Sequence, residues 1–545
     1  MNQVTMMRHH LASAKSLRVL TSLVKSNTCV PARQFTTSHS WQNSVKPVMP
    51  VSDDDSLFEY TNKRWLFNEK SQLASRYVRF NLDGLVQVAQ EAAGPRAVYV
   101  DLLMLTKGNY NRIFLAYMND GKRLVVKIPQ PNAGRERFTI ASEVATMKYA
   151  REKLGIPAPN VLSYCTNSQN RKTGTEYIVM EKAPGIELNR VLKELKPRHR
   201  DTILEQMTKI NIKFAKTRFP AYGALDRRED LASMNCESVP VKKYYAIGPT
   251  VARELSDNGR AAVDVARGPW STPLSVLQAI AHREISCIER CTSFSKTTQR
   301  GIFNGPRGYI PTKSAKFSIL RDFLKVAPHL FIRNELCHAA LLWHNNLRRE
   351  NIFVDETDPS RIASVIDWHG APIYPMFMHT NHPYFDGSAY CEYIEKAAPD
   401  FYDIFERTET PLGTMVSLIG SIFDDSETDM KDFLSGLTQE DTWKWRMSDY
   451  ENPNPNIPCP VKYSKEELAE HEAQYSKWSR DIERRERVLR EIGVGEGWDG
   501  AVAPDAYDEM AKKLAIAKEN FLTSEAKNEE ERKIWEKVWP FQDDD

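Results

Sequence analysis

Leu342-Trp343-His344-Asn345-Asn346-Leu347-Arg348-Arg349-Glu350-Asn351-Ile352-Phe353-Val354 is the stretch that decides how this chain folds. A polar loop runs into an apolar strand-like segment. Sixteen residues after Asn351 comes Asp367, inside Val365-Ile366-Asp367-Trp368. Asn351 offers a side-chain oxygen and Asp367 a carboxylate, the hard donors that Mg2+ prefers. His344 reads as a residue that packs and hydrogen-bonds beneath the loop.

Working outward, phosphoryl transfer needs positioning and charge neutralisation more than covalent help. Lys127 is a cation in the middle of the β-branched run Leu124-Val125-Val126-Lys127-Ile128. Glu143, sixteen residues later on a helical pattern, can pair with it and aim its ammonium at nucleotide phosphates. Between two strand-like runs, Thr106-Lys107-Gly108-Asn109-Tyr110-Asn111 reads as a phosphate-covering turn, with Gly108 and Asn109 at its tip. No Gly-x-x-x-x-Gly-Lys-[Ser/Thr] occurs, which argues against a P-loop. Tyr177-Ile178-Val179-Met180-Glu181-Lys182-Ala183-Pro184-Gly185 reads as a last strand and a hinge. Backbone groups of Glu181 and Ala183 would then face an adenine edge.

The pattern around these residues is α+β. Strands are expected at 97–105, 112–118, 123–128, 161–165 and 176–180, and a helix at 136–154. Asn119-Asp120-Gly121 is hairpin chemistry, because these residues tolerate positive φ. After Pro184-Gly185 the chain becomes mainly helical, with helices near 186–195, 200–215, 273–291 and 317–331. Residues 222–270, rich in Gly, Pro and charge, read as an insertion or long loop. Ser464-Lys465-Glu466-Glu467 is a capping box opening a helix with Tyr475, Trp478, Ile482, Leu489 and Ile492 on one face. A second stripe holds Tyr507, Met510, Leu514, Ala517 and Phe521. Such stripes pack on the parent lobe or serve a protein partner.

Composition narrows the destination. The 545 residues carry a formal charge of +2, which gives no reason to expect nucleic acid. The eight cysteines include no Cys-x-x-Cys pair; Cys287 and Cys291 share a helix face but make a poor metal site alone. His369, His379 and His382 are close in sequence, yet Pro375 and Pro383 interrupt any helical spacing, so they read as structural. No apolar run of about 20 residues exists, so no membrane span is expected. The first fifty residues hold six Lys or Arg, twelve Ser or Thr and no acid before Asp53. Leu11, Leu17, Leu20 and Val24 among Arg8, Lys15 and Arg18 fit a mitochondrial presequence. Its cut is expected after Arg33-Gln34, between about residues 35 and 45, and the matrix is the expected address.

Together Lys127, Glu143, His344, Asn351 and Asp367 resemble the aminoglycoside and choline kinase-like branch of the kinase superfamily, in particular its fungal members. Ile247-Gly248-Pro249-Thr250, Arg267-Gly268-Pro269-Trp270, His282-Arg283-Glu284 and Gly497-Trp498-Asp499-Gly500 extend the likeness across residues 55–525. The resemblance implies a two-lobed protein-kinase-like fold: a small lobe at 55–183, a large lobe at 184–450 and a helical extension at 451–545, behind a presequence at 1–45. It implies ATP and Mg2+ in the cleft, and a small hydroxylated substrate. It puts Arg348 where kinases often keep a Lys that touches the transferred phosphate. Members of known activity keep Asp as the proton acceptor where this chain has Asn346. Glu350 and Asp355 are the nearest carboxylates in sequence. Two readings stay open here: a phosphotransferase with altered proton handling, and an inactive nucleotide-binding scaffold.

Overall fold

The computed structural model describes residues 57–330, 336–379, 387–402, 411–448 and 457–544. The presequence expectation, His382 and the ends of the helices expected around the breaks lie outside these residues. In the small lobe, α1 (Leu82–Ala93) and α2 (Phe138–Leu154) flank β1 (Tyr99–Lys107), β2 (Asn111–Met118), β3 (Arg123–Pro129), β4 (Val161–Cys165) and β5 (Tyr177–Glu181). The antiparallel sheet runs β1-β2-β3-β5-β4. β-branched and aromatic residues favour the pleated surface. Here Phe114, Val126 and Val179 pack beneath Leu85, Val88 and Ala89 of α1. Gly121 takes φ +84 at the β2–β3 corner, as the Asn-Asp-Gly signal anticipates.

Lys127 sits mid-strand, opposite Ile113 on one side and Ile178 on the other. Val126 and Ile128 on either side pack in the α1 cluster, so strand alternation sends the Lys127 side chain to the opposite face, where α2 brings Glu143.

The lobes join at Ala183-Pro184-Gly185. Gly185 takes φ +88, and a Cβ there would lie 2.2 Å from the Val354 carbonyl. Only glycine passes so close to another backbone. The chain then forms β6 (Ile186–Glu187), which pairs with Val354 and Phe353. The helix expected over 186–195 is therefore shortened: residues 186–187 are a strand and only Leu188–Val191 is α-helical.

The large lobe contains α3 (Pro197–Ala215), α4 (Pro273–Arg290) and α5 (Lys313–Val326). Its short strands are β7 (Arg218–Phe219), β8 (Gly223–Arg227), β9 (Val239–Val241), β10 (Tyr245–Gly248), β11 (Ala340–Leu342), β12 (Ile352–Val354), β13 (Ile362–Val365) and β14 (Pro372–Pro375). One sheet runs β9-β10-β8-β14-β11-β7 and another β13-β12-β6. The 222–270 segment is thus not a loop. Tyr222 and Trp270 exchange two backbone hydrogen bonds of 2.9 Å that close it at its base. Its strands, at most five residues long, were hidden by Gly, Pro and charge. β8 pairs with β14, the strand that follows Asp367, so the insertion is wired to the site.

Beyond residue 456, α6 (Lys465–Ile492) opens with the expected capping box: Ser464 Oγ accepts from Glu467 N at 3.1 Å, and Glu467 accepts from Ser464 N at 2.7 Å. α7 (Tyr507–Glu525) and α8 (Glu529–Val538) complete the extension. Both predicted stripes are covered by the chain itself. Trp478 packs on Phe303 and Tyr309. Leu489, Ile492, Leu514 and Phe521 share a cluster with Phe67, Ile302, Trp535 and Trp539. Arg64–Trp65 pairs antiparallel with Ala501–Val502, fastening the lead-in before the small lobe to the extension. Among the described residues no helix is long and apolar enough to cross a membrane.

Candidate functional site between the lobes

Lys127 and Glu143 meet as the spacing predicts. Nζ lies 2.6 Å from each Glu143 carboxylate oxygen, and both side chains are buried. Burying charge is costly unless it is paired. This pair therefore fixes α2 against β3 and leaves the ammonium one direction in which to act.

Below it, the loop of β11–β12 folds on itself. Arg348 N donates to Asn346 O at 2.9 Å, and Asn351 N to Arg348 O at 2.8 Å. Asn346 N donates to His344 Nδ1 at 3.2 Å, which leaves Nε2 to carry the proton toward Ile366 O at 3.0 Å. Burial lowers the His344 pKa, so the ring is neutral, and it packs edge-on against Trp368. His344 is a brace beneath the loop.

Asn351 gives its side-chain NH2 to Asn346 O at 2.9 Å and approaches Asp367 Oδ2 at 3.4 Å. Its Oδ1 is the atom left to offer a cation. Asp367 takes φ +65, a strained backbone for a non-glycine residue and one that persists where surrounding structure imposes it. Burial works against its charge, but the Lys127 ammonium, helped by the hydrogen bond from Asn346, holds the carboxyl below its ordinary range. Lys127, Glu143, Asn351 and Asp367 thus share one cleft. A carboxylate and an amide oxygen suit Mg2+, which completes its shell with phosphate oxygens and water. Among the described residues no group of three or more His, Cys, Asp or Glu could hold a metal by itself.

Asn346 departs from the proton-acceptor expectation in a specific way. Its Nδ2 donates to Asp367 Oδ2, so the amide presents its donor end to the carboxylate. Neither nearby acid substitutes for it. Glu350 accepts from Arg349 Nε at 3.1 Å and lies 3.8 Å from Arg348 Nε. Asp355 accepts from Thr357 and Asp358 backbone N–H groups and pairs with Arg361. Arg348 itself is partly exposed.

The turn carrying Gly108 and Asn109 is pinned. Gln130 Nε2 donates to Gly108 O and Asn132 Nδ2 to Asn109 O, both at 2.9 Å. Tyr60 OH donates to Asn109 Oδ1 at 3.2 Å. Glu181 and Ala183 lie at the hinge, where Glu181 N donates to Asn160 O at 3.0 Å. Sequence reasoning missed what closes the end of the site beside this turn. Tyr110 meets His369 edge-on at 6.3 Å, and the Arg253 guanidinium lies 3.6 Å over the Tyr110 ring. His369 bonds Ala133 O at 2.7 Å, whereas His379 bonds Leu341 O at 3.0 Å and stacks on Trp343. Tyr110, two residues after Gly108, was a usable signal; Arg253, inside the segment expected as an insertion or long loop, had none.

Comparison with known proteins bears on this arrangement. Residues 102–265 match the phosphotransferase enzyme family. A subtelomeric hrmA-associated cluster protein of Aspergillus fumigatus is 28% identical, covering 81% of this chain and 97% of that protein. The altered inheritance of mitochondria protein 9 of Candida albicans is 24% identical over 71% of this chain and 69% of its own. Among solved structures, a putative fructosamine-3-kinase from Thermobifida fusca covers 65% of this chain and 99% of its own, at 14% identity and a TM-score of 0.37. An ADP-bound aminoglycoside phosphotransferase covers 62% and 92%, at 13% identity and 0.35. Likenesses that loose carry nothing about ligands. The chain is thus an α+β protein of which residues 102–265 match the phosphotransferase enzyme family, and it is similar to the two fungal proteins just named, the second of them called mitochondrial.

Proposed function

We propose that the chain binds ATP with Mg2+ in the cleft between its lobes and transfers the γ-phosphoryl group to a small hydroxylated molecule, without a carboxylate base. The convergence of Lys127, Glu143, Asn351 and Asp367 carries this reading. Lys127 would steady the α- and β-phosphates, Asn351 and Asp367 would hold the metal, and backbone at Glu181 and Ala183 would meet the adenine. The bound cation would neutralise developing phosphate charge. In the transfer the acceptor oxygen bonds to the γ-phosphorus as the bridging bond to the β-phosphate breaks. ADP leaves with the electron pair, and the hydroxyl proton passes to water. An amide cannot take that proton. Base catalysis contributes about 10²–10⁴-fold, and the loose transition state lets the remainder proceed with a late proton. Arg348, partly exposed beside the loop, would meet the transferred group. A mitochondrial address follows from the names of the relatives and the basic, acid-free N-terminal fifty residues.

One observation favours a second reading. With the Asn346 NH2 bonded to Asp367, the loop is stable without substrate, as suits a nucleotide-gated scaffold. Incubating the full chain with labelled ATP, Mg2+ and a mitochondrial metabolite extract separates the two. Transfer that disappears in Asp367→Ala supports the enzyme. Transfer unchanged in that variant, or none beside intact ATP binding, sinks it.

A further inference from the structure

A cavity of about 1480 Å³ opens beside the phosphate end of the cleft. Its walls come from the lead-in, from Tyr110 on the pinned turn, from residues 131–135 ahead of α2, from the insertion, from residues 293–298 and from the C-terminal extension. Four arginines line it: Arg76, Arg135, Arg253 and Arg267.

Their surroundings are unusual for cations. Arg76 is only 7% exposed and its Nε has no hydrogen-bond partner. Its Nη1 meets only uncharged oxygens of Gln72 and Ser75. Arg267 donates to the Leu255 carbonyl at 3.1 Å. Burial, and then the neighbouring Arg135 charge, lowers its pKa. Arg135 rests 3.9 Å over the Phe138 ring. Among the described residues none of these three is ion-paired. Arg76 and the half-buried Arg267 are drawn out of water with only the more distant charges of Asp499 and Asp264 to offset the cost, and their planar forks match phosphate or carboxylate.

Acids line the cavity too, but they are engaged or peripheral. Asp257 pairs with Arg253. Asp499 accepts from the Trp65 indole at 3.2 Å and from Ala501 N at 3.1 Å. Asp544 accepts from Asn68, Ser295 and Thr297. Glu237 and Asp264 are exposed at the rim. Arg76, buried, and Arg267, half-buried, are thus more enclosed than Glu237, Asp264, Asp499 and Asp544, which are exposed, as Arg135 is.

We propose that this cavity receives the phosphoryl acceptor and selects one bearing an oxyanion, a small hydroxylated phosphate or carboxylate. The acceptor role rests on the phosphotransferase reading; the anion preference rests on the arginines alone. Arg253 joins the two regions, since it lies over Tyr110, donates to Asn132 O at 3.1 Å and faces the cavity.

Calorimetric titration of the full chain tests this, with the nucleotide site filled by Mg2+ and a non-hydrolysable ATP analogue. Inorganic phosphate and glucose 6-phosphate should bind, and glucose and glucosamine should bind more weakly. Arg267→Gln and the exposed Arg135→Gln should each weaken both anions about tenfold, with affinity for the analogue unmoved. The proposal is overturned if phosphate does not bind, if glucosamine or glucose binds tighter than glucose 6-phosphate, or if both arginine substitutions leave the anions unaffected. If the analogue does not bind at all, the phosphotransferase reading fails, and the same anion titrations on the nucleotide-free chain still decide the arginine claim.

Discussion

Asn346 donates its side-chain amide to Asp367 Oδ2, the oxygen that the Asn351 amide also approaches, at 3.4 Å. Two neutral donors thus share one carboxylate where an acid in the first position would repel it. Asn346→Asp should consequently lower the thermal stability of the metal-free chain by about 1–2 kcal/mol, as like charges come together. Added Mg2+ should restore the loss. If the enzyme reading holds, turnover should rise about 10²-fold or more. A variant as stable as the parent without metal would contradict the observed bond.

Removing Glu143 leaves the buried Lys127 ammonium without its hydrogen-bonded carboxylate. Glu143→Ala should cost about 3–5 kcal/mol of folding stability in denaturant titrations. Lys127→Met, which deletes charge but keeps bulk, should cost less than Glu143→Ala while weakening ATP binding. Equal losses for the two would mean that the pair is not buried as described.

Glu176 gives a pH signature. It is buried, its carboxylate accepts from Arg137 N at 2.7 Å at the start of α2, and burial still pushes its pKa up to about 7. A carboxyl raised in the folded state favours folding at low pH, and that contribution is lost as pH rises from its ordinary 4.5 through about 7. Glu176→Gln should therefore be nearly neutral, or slightly destabilising, at pH 5. At pH 8 it should be stabilising relative to the parent by on the order of 3 kcal/mol. Melting curves of both proteins across that range read the difference directly.

At the hinge, Gly185→Ala would set a Cβ 2.2 Å from Val354 O at φ +88. A loss above about 2 kcal/mol is expected, with weaker ATP binding because β6 holds β12 beneath the cleft. Gly121→Ala meets no neighbouring atom but shares the positive φ, so it should cost about 1 kcal/mol and leave binding alone.

The small lobe was legible in the sequence because its signals are local. Val126 and Ile128 flank Lys127, Asn-Asp-Gly makes the corner, and Glu143 falls on the inward side of its helix. The loop from His344 to Asn351 was legible for the same reason, since its bonds close within eight residues. What escaped depends on distant pairing. β8 and β10 are four or five residues of mixed polarity that become strands only against each other and β14. The side chains around the cavity come from segments separated by more than a hundred residues, as Arg76 and Arg253 show. No periodicity encodes such a meeting.

The lead-in touches both the phosphate-covering turn and the C-terminal helices. Tyr60 and Asn62 bind the turn at Asn109 and Lys107, while Trp65 binds Asp499 and its strand pairs with Val502 and Ala501. Those few residues act as a tether whose far anchor lies more than four hundred positions downstream. Cutting the chain behind residue 495 should consequently slacken the turn that carries Gly108 and Asn109, although the direct bonds to that turn come from Tyr60, Asn62, Gln130 and Asn132.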